Sequence, residues 1–259
     1  MADGGNLMAG KRGIVFGVAN NRSIAWGITK AVVDQGAEIA LTYQGDALKK
    51  RVEPLAAQAG AKLVLPCDVT DTASMDAVFA AAEKEWGGLD FIVHAVAFSD
   101  KDQLDGRYVD TTEENFAKTM AISCYSLTAM AKRAEPLMKD GGSIVTLTYY
   151  GAEKVMPHYN VMGVAKAALE SSVRYLAVDL GSRGIRVNAI SAGPVKTLSA
   201  AGVPRFREML GHHAERAPLR RNVTAAEVGE AAVFLLSPAA SAITATVLHV
   251  DAGYHAVGV

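Results

Sequence analysis

The chain has 259 residues, of which 50% are hydrophobic and 20% charged, and its formal net charge is −1. That composition supports a sizeable core, and the charge balance excludes the extended basic footprint of a nucleic-acid-binding protein. Two cysteines, Cys67 and Cys124, are too few for a disulfide framework and not spaced as metal ligands, so they read as buried reduced thiols and no metal site is expected.

Residues 13–17, Gly-Ile-Val-Phe-Gly, suit a short buried parallel strand. A polar loop follows, then Ser23 as a candidate helix N-cap and a helix over 24–35, ended by Gly36. The pattern repeats with a strand at 37–43, a helix at 46–59, a strand at 62–67, a helix at 71–86 and a strand at 91–95. A long helix over 113–138 precedes a strand at 142–148, and a helix over 160–180 precedes a strand at 185–190. A helix over 225–236 and a strand at 246–250 close the chain. Strands alternating with helices give βαβ units, so the expectation is an α/β fold: one Rossmann-type, doubly wound domain over 1–259 with a parallel sheet of about seven strands.

Residues 195–219 break the rhythm, carrying Gly202, Pro204 and Gly211 and only a weak helical pattern. They read as a substrate-binding lid or as an ordinary surface excursion. Residues 1–10 lack the apolar core of a signal peptide, and no apolar run reaches the roughly 18 residues that span a bilayer. A soluble, cytoplasmic protein without membrane or nucleic-acid partners is expected.

Ligands of such sheets bind beyond the carboxyl ends of the strands. The first strand ends at Gly17 and the next helix opens near Ser23, where free N–H groups suit a pyrophosphate. The G-x-G-x-x-G spacing is absent, since the next glycine is Gly27, and a plain strand–helix turn reads equally well. Gln44, at the end of the second strand, offers hydrogen bonds without charge, which favours NADH over NADPH. Asp68, after the third strand, suits an adenine amino group with Val69 against the ring, or is simply a turn residue.

Tyr159 and Lys166 stand seven apart at the start of a predicted helix, which places them on one face about two turns apart. An ammonium near a phenol stabilises its charged form, and a phenol can donate to an oxygen that becomes negative during hydride transfer. Tyr149 lies where a strand leaves the carboxyl edge of the sheet, although position alone separates it poorly from Tyr150.

These motifs resemble the short-chain dehydrogenase/reductase superfamily, in its divergent branch of bacterial enoyl-acyl-carrier-protein reductases. The resemblance runs essentially end to end. It covers Gly17-Val-Ala, Arg22-Ser-Ile-Ala, Thr42-Tyr-Gln, Cys67-Asp-Val and Asp102-Gln-Leu-Asp-Gly. It continues through Gly151-Ala-Glu, Tyr159-Asn-Val-Met-Gly-Val-Ala-Lys, Arg186-Val-Asn-Ala-Ile-Ser-Ala-Gly-Pro and His249-Val-Asp. Most superfamily members carry the tyrosine and lysine four apart with an upstream serine. A separation of seven with Tyr149 near the serine's place is the pattern of the enoyl reductase branch.

The resemblance implies hydride transfer from NADH to the β-carbon of a trans-2-enoyl thioester carried on acyl-carrier protein. Tyr159 would bond the thioester carbonyl and stabilise the enolate, Lys166 would hold the nicotinamide ribose, and Tyr149 would shape the acyl pocket and assist proton delivery. Cofactor contacts would come from Gly17, Ser23, Ile24, Gln44, Asp68, Val69, Val96, Val195, Thr197 and Ser199. Substrate contacts would come from Phe98, Ser99 and Met162. Val96-Ala97 departs from the isoleucine-glycine frequent in relatives, and Arg205 and Arg207 are candidate contacts to the acidic carrier or a solvated helix face. Relatives are typically homotetramers; the apolar residues 247–259 suit an interface, or equally a packed core strand. The competing readings are a reductase of a specialised enoyl thioester, a carbonyl or alcohol dehydrogenase, and a non-catalytic dinucleotide-binding sensor.

Overall fold

The apolar runs pair into one parallel sheet made of β1 (Arg12–Phe16), β2 (Glu38–Tyr43), β3 (Leu63–Pro66), β4 (Phe91–His94), β5 (Gly142–Thr148), β6 (Ile185–Ala192) and β7 (Val247–Val250). The structure is a computed structural model describing residues 6–197 and 205–258. Strand order is β3-β2-β1-β4-β5-β6-β7, so the winding reverses between β1 and β4. The doubly wound α/β architecture is as expected.

Alternate strand residues feed two cores. Ile14, Phe16, Ile92, Ile144 and Val187 face α3 (Thr72–Trp86), α5 (Ser126–Ala134) and α6 (Asn160–Gly181). Val15, Val93, Val145 and Ile190 face α1 (Ile24–Asp34), α2 (Gly45–Ala59) and α8 (Ala225–Leu236). Covering on both faces explains why the central strands are apolar runs rather than alternating ones. Each fully buried Ile, Val or Phe contributes about 1.5–3 kcal/mol.

Caps fix where the helices begin. Ser23 Oγ accepts from Trp26 N, Asp71 from Ala73 N and Thr112 from Asn115 N. Thr224 and Glu227 form a reciprocal capping box at α8. Gln44 caps α2 without a side-chain bond, because its amide is engaged with Asp68.

The expected single helix over 113–138 is a correction. It is divided into α4 (Glu113–Met120), a π-helical turn (Ala121–Tyr125), α5 and a 3₁₀ turn (Glu135–Leu137). Two serines explain the widening. Ser126 Oγ donates to Ile122 O at 2.6 Å, while Ser123 Oγ exchanges bonds with the backbone N–H and C=O of Phe98. Pro136 then ends regular hydrogen bonding. The weakly patterned stretch after residue 195 contains an eleven-residue helix, α7 (Phe206–Arg216).

Candidate active site

At the switch point, Gly17 leaves β1 with φ +98°, and a Cβ there would overlap the backbone carbonyl of Ala95 beyond β4. Only glycine lets the two strand ends open side by side. Beyond them lies a cavity of about 930 Å³. Its wall includes Gly17, Ser23, Ile24, Gln44, Asp68, Val69, Val96, Phe98, Ser99, Tyr149, Tyr159, Met162, Lys166, Val195 and Thr197. Ser199 lies outside the described residues.

The cavity suits a dinucleotide on its own chemistry. The N-terminal end of α1 is part of its wall and offers the outward N–H groups and positive dipole end that an anion needs. Gln44 Nε2 donates to Asp68 Oδ2 at 2.9 Å, joining the ends of β2 and β3. The hydroxyl and backbone N–H of Thr70, both bonded to Asp68, hold its carboxyl below the usual range. The residues placed there are thus one ionised acceptor and one neutral amide. Lys49, Lys50 and Arg51 fall on α2, away from the cavity wall.

At the other end, the tyrosine rings of residues 149 and 159 meet edge to face, centroids 5.0 Å apart and planes at 73°. Tyr150 turns away: its Oη donates to His255 O and its ring meets Tyr254. Lys166 is buried on the first turns of α6, and its Nζ donates to Leu147 O at 2.8 Å. Burial lowers the Lys166 pKa to about 8 and pushes both tyrosine phenols above their ordinary value. Both phenols therefore remain protonated donors at neutral pH, next to a lysine that is still mostly charged.

Two glycines admit the Tyr159 ring. A Cβ on Gly151 would press into that ring, and one on Gly163 would meet Gly151 O at 2.8 Å. Beneath the site, His94 is fully enclosed between Thr146 Oγ1 at 2.7 Å and Ser126 Oγ at 2.8 Å, and burial lowers its pKa to about 3. It is a neutral tie between β4, β5 and the start of α5. Ser99 sits in a buried hydroxyl–amide network with Asn115 and Thr119, and Lys118 lies 4.6 Å from the centroid of the exposed Phe98 ring.

Wall residues from outside the sequence motifs include Ile122, Phe206 and Met209. Met209, on α7, accepts from Tyr149 Oη at 3.3 Å. No local pattern pointed to this, since the contact spans 60 residues of chain.

Comparison with known proteins agrees with this geometry. The model of the family described as enoyl-(acyl carrier protein) reductase matches residues 17–255. A Rhizobium meliloti protein named enoyl-[acyl-carrier-protein] reductase [NADH] 1 is 67% identical over 258 residues, covering 100% of this chain and 95% of the relative. A Rickettsia bellii protein of the corresponding name is 54% identical, covering 97% and 96%. The crystal structure of the Anaplasma phagocytophilum enoyl-(acyl-carrier-protein) reductase in complex with NAD is similar at TM-score 0.95 and 60% identity, over 98% of this chain and 97% of that one. The Bacillus cereus enoyl-acyl carrier protein reductase with NADP+ and indole naphthyridinone is similar at TM-score 0.96 and 50% identity, over 98% and 99%.

Proposed function

This chain belongs to the enoyl-(acyl carrier protein) reductase family, and from that membership we propose how its own residues carry out the reaction. The protein is an NADH-dependent enoyl-acyl-carrier-protein reductase, an oxidoreductase. NADH supplies the hydride that adds to the β-carbon of a trans-2-enoyl thioester. The observation that carries the assignment of roles is the meeting of Tyr149, Tyr159 and buried Lys166 on one cavity wall.

Tyr159 donates its phenolic hydrogen bond to the thioester carbonyl oxygen. As negative charge develops on that oxygen, the bond strengthens, which is the interaction that lowers the barrier. Burial keeps the phenol protonated, so it acts as a donor rather than as a base. Lys166 holds the nicotinamide ribose and adds positive charge beside the oxygen. Tyr149 packs on Tyr159 and shapes the acyl pocket with Phe98, Ser99 and Met162. The end of α1, with Gly17, Ser23 and Ile24, takes the pyrophosphate. Gln44, Asp68, Val69, Val96, Val195 and Thr197 complete the cofactor contacts.

The lid reading of 195–219, of which 198–204 lie outside the described residues, is supported by α7, which carries Phe206 and Met209 to the cavity; Arg205 just before it and Arg207 on it are exposed and would face an acidic carrier protein. The active assembly is a homotetramer in the cytoplasm, a reading supported by family membership. No helix of the described residues is long and apolar enough to cross a membrane.

The test follows oxidation of NADH and of NADPH with a trans-2-enoyl thioester and, separately, with a β-ketoacyl thioester. Oxidation of NADH with the enoyl substrate is expected. Turnover of the ketoacyl substrate alone would mean carbonyl reduction, and cofactor binding without turnover of either would mean a sensor.

A further inference from the structure

Tyr159 is flanked by two residues in the left-handed region, His158 at φ +60° and Asn160 at φ +36°, while Tyr159 itself is at φ −113°. Neither flanking residue is glycine, so the surroundings must hold this conformation. Both are tied to one loop. His158 Nδ1 lies 2.8 Å from Asp105 Oδ1, and Asn160 Nδ2 donates to the carbonyls of Gln103 and Gly106 at 3.3 and 3.4 Å.

That loop is itself anchored. Thr112 N donates to Gln103 Oε1 at 3.0 Å, fastening the loop to the cap of α4. Leu104 is buried against Val161, Met162 and Ala165, with the Tyr159 ring on the same cluster. The loop therefore contributes cavity wall and grips the turn bearing the tyrosine from both sides.

We propose that Asp105, His158 and Asn160 form a clamp that positions the Tyr159 hydroxyl over the substrate, acting on the reaction only through that tyrosine. The inference rests on the role given to Tyr159 above. The hydroxyl must lie within hydrogen-bond reach of an oxygen whose charge grows during the reaction, and a shift of about 1 Å weakens turnover far more than it weakens binding. Among the described residues, neither Asp105 nor His158 belongs to the cavity wall. The clamp thus fixes geometry from outside.

The experiment is a double-mutant cycle on the full chain with NADH and a trans-2-enoyl thioester. Asp105→Ala removes the acceptor of the His158 bond together with that of the Gly106 N–H, leaves the residues at 158 and 160 unchanged, and Asp105 is exposed, so the fold is retained. In the wild-type background this variant is expected to lower kcat roughly tenfold with NADH affinity unchanged. In the Tyr159→Phe background the same change is expected to alter kcat less than about twofold, because the group it positions is gone. Asp105→Asn, whose amide oxygen still accepts from the His158 ring, restores turnover to within about twofold of wild type.

Equal losses in the two backgrounds, unchanged kcat in the wild-type background, or loss of NADH affinity alongside kcat would overturn the clamp. Hydrogen exchange at residues 158–162 reads the same clamp without turnover. Asp105→Ala is expected to accelerate it, and unchanged exchange would also overturn the proposal. A wild-type protein that oxidises no NADH with the enoyl substrate instead overturns the assigned reaction, so the two failures are distinguishable.

Discussion

Lys166 Nζ donates to the backbone carbonyl of Leu147 at 2.8 Å, so an α6 side chain reaches across to β5 and holds its ammonium at the carboxyl edge of the sheet. The charge is buried and partly desolvated, which lowers its pKa from 10.5 to about 8.

The pH dependence follows from that direction. Deprotonation above pH 8 removes the charge proposed to hold the ribose hydroxyls, so NADH affinity is expected to fall as pH rises through about 8. Folding stability has the opposite slope. Between about 8 and 10.5 the unfolded lysine holds its proton while the folded one has lost it, so stability rises with pH across that window. Lys166→Met keeps much of the stem's packing and removes the buried ion. It is expected to weaken NADH binding tenfold or more while leaving Tm unchanged or a few degrees higher. Titration of NADH binding against pH, with calorimetry of both proteins, checks both halves.

Tyr159→Phe removes the donor proposed to meet the developing oxyanion. It is expected to lower kcat by about 10²–10³ with little change in NADH affinity. Steady-state kinetics paired with equilibrium NADH binding would expose a loss that falls on binding instead.

Gln44 is neutral and already bonded to Asp68, whose carboxyl stays ionised through the neutral range. Gln44→Arg adds a cation beside the proposed ribose site and is expected to shift the kcat/KM ratio toward NADPH by about tenfold. Parallel assays with the two cofactors measure the ratio, and an unmoved ratio would place the adenosine ribose elsewhere.

Gly17→Ala meets two obstacles at once, a φ of +98° and the Ala95 carbonyl. Destabilisation of about 2–4 kcal/mol is expected, read from denaturant unfolding.

For the lid, NADH with a phenol that mimics an enolate is expected to slow amide exchange across residues 206–210. Phe206 and Met209 belong to the wall that such a ligand would cover. Exchange that is indifferent to the ligand pair would leave α7 as a surface helix.

Much of this was legible in the chain. Parallel strands covered on both faces are short apolar runs, so the bounds of β5 could be read to the residue from 142–148. Tyr159 caps α6 and Lys166 lies on its second turn, and both line the cavity. What escaped the reading depends on contacts distant in sequence. The π turn needs Ser123 to reach the Phe98 backbone and Ser126 to reach His94. The choice between Tyr149 and Tyr150 needs the partners Tyr159 and Tyr254. Met209 enters the wall through a helix whose local pattern is weak.

The crossing of α1 and α8 carries a consequence of another kind. A Cβ on Gly27 would overlap the Ala225 carbonyl, and one on Gly229 would meet Gly27 O at 2.6 Å, so the two backbones touch. The helix whose N-terminal end lines the cavity is thereby seated on a neighbour on the same face of the sheet. A bulkier residue at position 229, far along the chain from every motif, would tilt α1 and surface as poor dinucleotide retention. Tolerance to substitution along the outer helix layer is therefore governed by ligand capture as much as by folding.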